Sequence, residues 1–187
     1  MIETQIRAAG DQDVAAITSF ISGLSLRTRY LRFFTGAGPS SAVIRLLAGG
    51  TGADVLVATC DGVVVGHAIA VEVEDPGSPV LADVGVVVAD AWQGRGVGSA
   101  LLRTLVTRAG GRGAAGITMS VLPENRRVLA MISDHWPAAS MLAQRDSLTF
   151  RAPIRSAVLM EPRAPAHWTG VSSIAETWPQ VLATSRP

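Results

Sequence analysis

Gln93-Gly94-Arg95-Gly96-Val97-Gly98 decides how this chain is read, because of what stands on either side of it. A strand-like run, Ala82 to Val88, leads in, and an amphipathic run, Ser99 to Arg108, leads out. The glycines therefore stand where a strand turns into a helix. Glycine lets the backbone approach a ligand closely and aim successive amides at it, and a new helix adds unpaired N–H groups and the positive end of its dipole. Such a turn is a phosphate cradle, and the ligand it predicts is an anion, a pyrophosphate first of all.

Spacing separates the families that build such a cradle. A Walker loop needs Lys followed by Ser or Thr after its last glycine, and the sequence contains no Lys. A Rossmann fingerprint places its third glycine where Ser99 stands and an acidic residue about twenty positions on, where Gly113 to Ser120 offers none. What remains, Gln followed by two residues, Gly, one residue and Gly, resembles the acetyl-coenzyme A loop of the GNAT superfamily of N-acetyltransferases.

Composition is consistent with that reading and excludes others. A chain of 187 residues with 48% hydrophobic and 17% charged residues is globular and fits one domain with a full core. The formal net charge of +1 argues against a surface field for nucleic acid or membrane, so an anion is held locally. Residues Met1 to Asp13 show no signal-type apolar segment, and Asp83 and Asp90 interrupt the apolar stretch between them. The expected location is cytoplasmic. The single cysteine, Cys60, lies in an apolar run as a buried thiol, and three His with one Cys at no convergent spacing indicate no metal site. All sixteen basic residues are Arg. Codon bias explains this most simply, and an enzyme that acetylates lysine and lacks it also escapes modifying its own side chains.

The rest of the chain alternates in the same style. Ile2 to Ala8 reads as a strand, Asp11 or Asp13 as the cap of a helix with Val14, Ile17 and Ile21 at helical spacing, and Ser25 as the start of a second helix. In that second helix Tyr30, Phe33 and Phe34 make an i, i+3, i+4 face, expected to pack into the core with Arg27, Arg29 and Arg32 solvated. A third helix spans Ala42 to Leu47. Asp54 to Cys60 and Val63 to Val73 flank Asp61-Gly62, a two-residue hairpin turn. Leu81 to Val88 is a Val-rich strand buried on both faces. After the loop and its helix come a strand, Ile117 to Leu122, a helix from about Asn125 to Ser133, and a hairpin of Ala138 to Gln144 and Leu148 to Ile154. The Pro-rich remainder, 155–187 with Trp168 and Trp178, is an extension expected to wrap the domain or meet a second subunit.

That order is similar to the GNAT fold over roughly Ile2 to Ile154. The resemblance implies an α/β (α+β) domain at 1–154, with a mixed, mostly antiparallel sheet of about seven strands, flanking helices, and a splay between the fourth and fifth strands. Val121 to Arg127 looks like the family segment in which an Asn, here Asn125, opens the last helix beside the coenzyme. Tyr30-Leu31-Arg32-Phe33-Phe34 and the run Ala82 to Val88 look most like bacterial Pat-type protein lysine acetyltransferases. By the resemblance the co-substrate is acetyl-CoA. Val86, Val87 and Val88 meet the pantetheine arm, with Val86 and Val88 giving the backbone contacts. Gln93, Gly94, Arg95, Gly96, Val97, Gly98 and Ser99 surround the phosphates, and Arg103 and Arg126 can reach the 3′-phosphate or stand solvated.

The chemistry is direct transfer of acetyl to a primary amine, a protein lysine first, with a small-molecule amine or a catalytically weak coenzyme-binding module as alternatives; the protein is expected as monomer or homodimer. A free lysine amine has a pKa of about 10.4, and neutralising it near pH 7 costs roughly 4–5 kcal/mol unless a base takes the proton during attack. Pat-type enzymes place a Glu where this chain has Asp83, shorter by about 1.5 Å, so Asp83 is the first candidate, reaching through water. Glu72 is the reserve base. Many GNAT enzymes protonate the departing thiolate with a Tyr near the last helix, where this chain has none; Ser133 and His135 are the candidates there.

Overall fold

The computed structural model describes residues 4–35, 39–49, 52–74 and 78–154. Its elements follow the expected order: β1 (Gln5–Ala8), α1 (Val14–Ser22), α2 (Leu26–Phe33), α3 (Ser41–Leu47), β2 (Ala53–Cys60), β3 (Val63–Val73), β4 (Leu81–Val88), α4 (Val97–Gly111), β5 (Gly116–Val121), α5 (Arg126–His135), β6 (Ser140–Ala143) and β7 (Leu148–Pro153). The strands form one sheet in the order β1-β2-β3-β4-β5-β7-β6, antiparallel except for the parallel pair β4–β5. Asp61 (φ 48°) and Gly62 (φ 78°) both take positive φ, which is why that dipeptide closes the β2–β3 hairpin. The extension expected at 155–187 lies outside the described residues, as do the first residues of the expected opening strand.

Two apolar layers cover the sheet. On one face Leu56, Ala58, Val84, Val86 and Val88 pack with Leu101, Leu102 and Leu105 of α4 and Val128, Met131 and Ile132 of α5. On the other, Val55, Val57, Ile69 and Val87 pack with Ile17 and Ile21 of α1 and Val43 and Leu47 of α3. Strand alternation thus sends even-numbered β4 side chains to α4 and odd-numbered ones, Asp83 included, toward the α1–α3 side. Gly66 in β3 permits the close seat of α4, since a Cβ there would lie 2.9 Å from Leu101 Cδ1. Arg108 and Arg112 of α4 hold Asp54 of β2 at 2.7–2.9 Å, fixing the helix that carries the glycine loop at its start.

Three local expectations are corrected. The glycine-loop helix begins at Val97, two residues before Ser99, and runs to Gly111. Asp13 does not cap α1 through its side chain; its carboxylate takes both Arg7 nitrogens at 2.6 and 2.8 Å and the Gly10 N–H at 3.0 Å. Helix α2 is inverted: Arg32 is 0% exposed and Thr28 is buried, whereas Leu26 is 67% and Tyr30 40% exposed. Periodicity located the helix, but its inner face packs against polar groups of the sheet.

Candidate active site

The gap in the sheet comes from the β4–β5 register. Pairing runs from Leu81↔Gly116 to Asp83↔Thr118 and stops, while β5 continues to pair with β7 through Val121. Beyond Asp83 the two strands diverge. The Ala89 N–H donates to Val65 O on the β3 side, and Val80 O accepts from Ala115 N on the β5 side. Antiparallel ladders alternate, so Val86 and Val88 turn their backbone groups toward the gap, where Val88 O already accepts from Gln93 Nε2 at 3.1 Å. Val87, opposite His67, turns its groups to β3 and its side chain into the α1–α3 layer, so it lines the gap with neither.

The glycine loop caps the open end of that gap. Gly94 and Gly96 have φ of 75° and 83°, and a Cβ on either would meet nothing within 4 Å. Those glycines face open space that a ligand can fill. The α4 ladder begins with Ala100 N–H donating to Gly96 O, leaving the N–H groups of Val97, Gly98 and Ser99 as the free first turn. The Arg95 guanidinium stacks 5.1 Å over the Trp92 ring at the exposed edge of the loop. Gln93 is structural within it: its Nε2 donates to Val88 O at 3.1 Å and to Thr28 Oγ1 at 3.3 Å. Asn125 is buried and caps α5, its Oδ1 accepting from the Val128 N–H at 3.4 Å.

Asp83 stands where the strands part, 4% exposed. Its charge partner is Arg32 from α2, whose Nε, Nη1 and Nη2 are buried without a hydrogen-bond partner. Burial lowers the Arg32 guanidinium to about 10, and the nearby Asp83 carboxylate opposes that fall. His67 of β3 completes the chamber. Its Nε2 donates to Leu47 O at 2.7 Å, and burial, with the Arg32 charge adding to it, lowers its pKa to about 4, so the ring is neutral at pH 7. The chamber's charges at neutral pH are thus one Arg and one Asp.

The other carboxylate and the histidine expected nearby are elsewhere. Glu72 pairs across the ladder with Ala82, on the α4 face, and is 3.7 Å from Arg112. His135 ends α5, on that same face, with Nδ1 donating to Met131 O at 3.0 Å; ten residues of helix put it about 15 Å from the Asn125 end. Neither stands with Asp83. Tyr30 does reach the mouth of the gap. Its hydroxyl is bonded to Glu124 of the β5–α5 loop and feels Asp146 of the β6–β7 turn, which raise its pKa and keep it protonated.

A glycine turn that faces open space, a strand pair that parts beyond Asp83 and a buried carboxylate at the parting point thus lie at one end of the sheet. The sequence pattern described as Acetyltransferase (GNAT) family matches residues 24–133. The chain belongs to the GNAT acetyltransferase family. This family uses acetyl-CoA as co-substrate for acetyl transfer, and the open cradle and free β4 edge fit that molecule. The GNAT fold recurs in solved structures. The GNAT domain of PAT from Streptomyces lividans is 24% identical, with 80% of this chain and 90% of that chain covered and a TM-score of 0.71. The acetyltransferase yncA from Salmonella typhimurium, solved with acetyl-CoA, is 22% identical, with 87% and 98% covered and a TM-score of 0.65. The ribosomal-protein-S18-alanine N-acetyltransferase of Escherichia coli is 18% identical, with 83% and 96% covered and a TM-score of 0.64. No curated protein matches the sequence. Among the described residues of this GNAT chain no helix is long and apolar enough to cross a membrane.

Sequence reasoning missed Arg32, Tyr30 and Asp90 as parts of the site. The first two sat in the motif Tyr30 to Phe34, but helical spacing put Arg32 off the aromatic face and so among the solvated arginines. Asp90, which accepts from Ser25 and Thr28 of the α2 start, carried no sequence signal.

Proposed function

We propose that this chain transfers acetyl directly from acetyl-CoA to a primary amine, with Asp83 as the group that takes the amine proton. The observation that carries the reading is the position of Asp83, at the last paired residue before β4 and β5 part. Its side chain is 4% exposed beneath α2, so the acceptor's proton reaches it through water at the parting of the strands. The co-substrate supplies an activated thioester carbonyl. Val86 and Val88 hold its arm along β4, and the amides of Val97, Gly98 and Ser99, with the Gly94 and Gly96 backbone, hold its phosphates. Arg32 sets a positive charge beside the Asp83 carboxylate. Tyr30 stands protonated beside Glu124, its O–H donated to that carboxylate.

For the acceptor we put a protein lysine first. The exposed Tyr30 is flanked by the exposed carboxylates Glu124 and Asp146, which attract an ammonium from solvent. The resemblance of Tyr30 to Phe34 and Ala82 to Val88 to Pat-type enzymes supports the same choice. A panel of lysine-bearing peptides and small amines, with free thiol release measured against acetyl-CoA, tests it. Peptide turnover at least ten-fold above the best small amine supports a protein lysine; the reverse order assigns a small molecule, and binding of acetyl-CoA with no turnover on any amine assigns a coenzyme-binding module.

A further inference from the structure

Asp90 lies in the one-turn 3-10 segment Asp90–Trp92, between the end of β4 and the glycine loop. Its carboxylate reaches back 65 residues in sequence to the start of α2. Oδ2 accepts from the Ser25 N–H at 3.0 Å, and Oδ1 accepts from Ser25 Oγ at 2.7 Å and Thr28 Oγ1 at 2.8 Å. Gln93 extends the tie, with Nε2 shared between Thr28 Oγ1 and the carbonyl of Val88, the last residue of β4. Ser25 at the same time caps α2, accepting from the Thr28 N–H at 3.1 Å.

This polar tie seats the start of α2. The helix has eight residues, too few to persist unaided in water. None of its side chains is a buried member of either apolar layer, and Phe33 packs against one only in part. Its buried side chains are Thr28 and Arg32. Burial works to raise the Asp90 carboxyl, yet the Ser25 and Thr28 hydrogen bonds outweigh it and hold the group below the ordinary carboxylate range. Hydrogen bonds to a charged acceptor are the stronger kind.

We propose that Asp90 is a positioning residue coupling the coenzyme loop to α2, so that occupancy of the loop sets the placement of Tyr30 and Arg32 on the acceptor face. The loop and the helix start are one hydrogen-bonded unit. A ligand that stiffens the Gly94–Ser99 backbone therefore stiffens α2, and coupling of this kind is reciprocal.

Hydrogen exchange of peptides covering Leu26–Phe33, in the full chain with and without saturating coenzyme A, reads this coupling without an acceptor. The expected result is exchange slowed about ten-fold by coenzyme A in the wild type and in Thr28→Ser, which keeps the hydroxyl. In Asp90→Ala and Thr28→Val the slowing falls below about two-fold, although calorimetry shows coenzyme A still bound. A purely structural Asp90 would lower the melting temperature and leave the ligand-induced slowing unchanged, and that result overturns the proposal. No slowing in the wild type, or no coenzyme A binding at all, overturns it too, the second taking the coenzyme assignment with it. Should Asp90→Ala not fold, Thr28→Val against Thr28→Ser decides.

Discussion

Protonation of His67 tests the electrostatics of the chamber next to Asp83. Burial holds its folded pKa at about 4, against 6.5 for a free imidazole. Between those values the unfolded chain binds the proton and the folded chain does not, so stability is present in full above about pH 6.5 and is lost as pH falls toward 4. Integrating that difference from pH 7 to pH 5 gives a loss of about 2 kcal/mol. For a chain of this length that is roughly 4–8 °C in melting temperature. Thermal unfolding of wild type and His67→Gln at pH 7, 6 and 5 isolates it, because Gln can still donate to Leu47 O. Asp13, Asp54 and Asp90 are held below the ordinary carboxylate value and titrate outside this window, in both proteins alike. The wild type should lose about 4–8 °C more than the variant between pH 7 and pH 5. Equal losses would show that His67 is hydrated or charged in the folded state, and would refute the account of a chamber holding only Arg32 and Asp83 as charges.

Three further outcomes follow from the geometry. Arg32→Met strands the buried Asp83 carboxylate and should cost about 3–5 kcal/mol, whereas Arg32→Met/Asp83→Asn should recover at least about 2 kcal/mol of it by urea denaturation; additive losses would mean the two groups do not interact. Gly96→Val forces a β-branched residue to a φ of 83° and sends its side chain into the open cradle, so calorimetry should show coenzyme A affinity reduced at least about ten-fold, a loss of about 1.4 kcal/mol in binding free energy. Glu72→Gln and His135→Ala should each leave turnover within about three-fold, since both lie on the α4 face away from Asp83; a hundred-fold fall in either would return it to the reaction.

Much of the architecture was legible because periodicity and turn chemistry agreed. The Asp61-Gly62 turn, the Val-rich β4 and the glycine loop each have one local solution, and the structure adopts it. For the backbone groups that the resemblance assigns to the coenzyme, the structure adds a position: Val86 and Val88 border the gap between β4 and β5, and the glycine loop runs into the start of α4. It was not legible where a side chain acts across the fold. Sequence cannot say which face of β3 and β4 meets α2, so Glu72 stood as the reserve to Asp83, and the two are on opposite faces. Helix periodicity assigned Tyr30, Phe33 and Phe34 to a core, but the sheet surface beneath α2 carries Asp83 and His67, and the buried side chain facing them is Arg32, whose charge opposes that of Asp83. The Asp90 tie joins residues 65 apart in sequence and left no local pattern to read.

Turnover and binding by Asp83→Asn, measured side by side, test the central claim most directly. With acetyl-CoA and the best amine of the acceptor panel, the wild type should release one free thiol for each amine acetylated. Asp83→Asn should bind acetyl-CoA within about three-fold of wild type by calorimetry, while kcat falls by at least about a hundred-fold, the scale of a lost general base. Full turnover in that variant would contradict the assignment of Asp83 and require the proton to leave by another route.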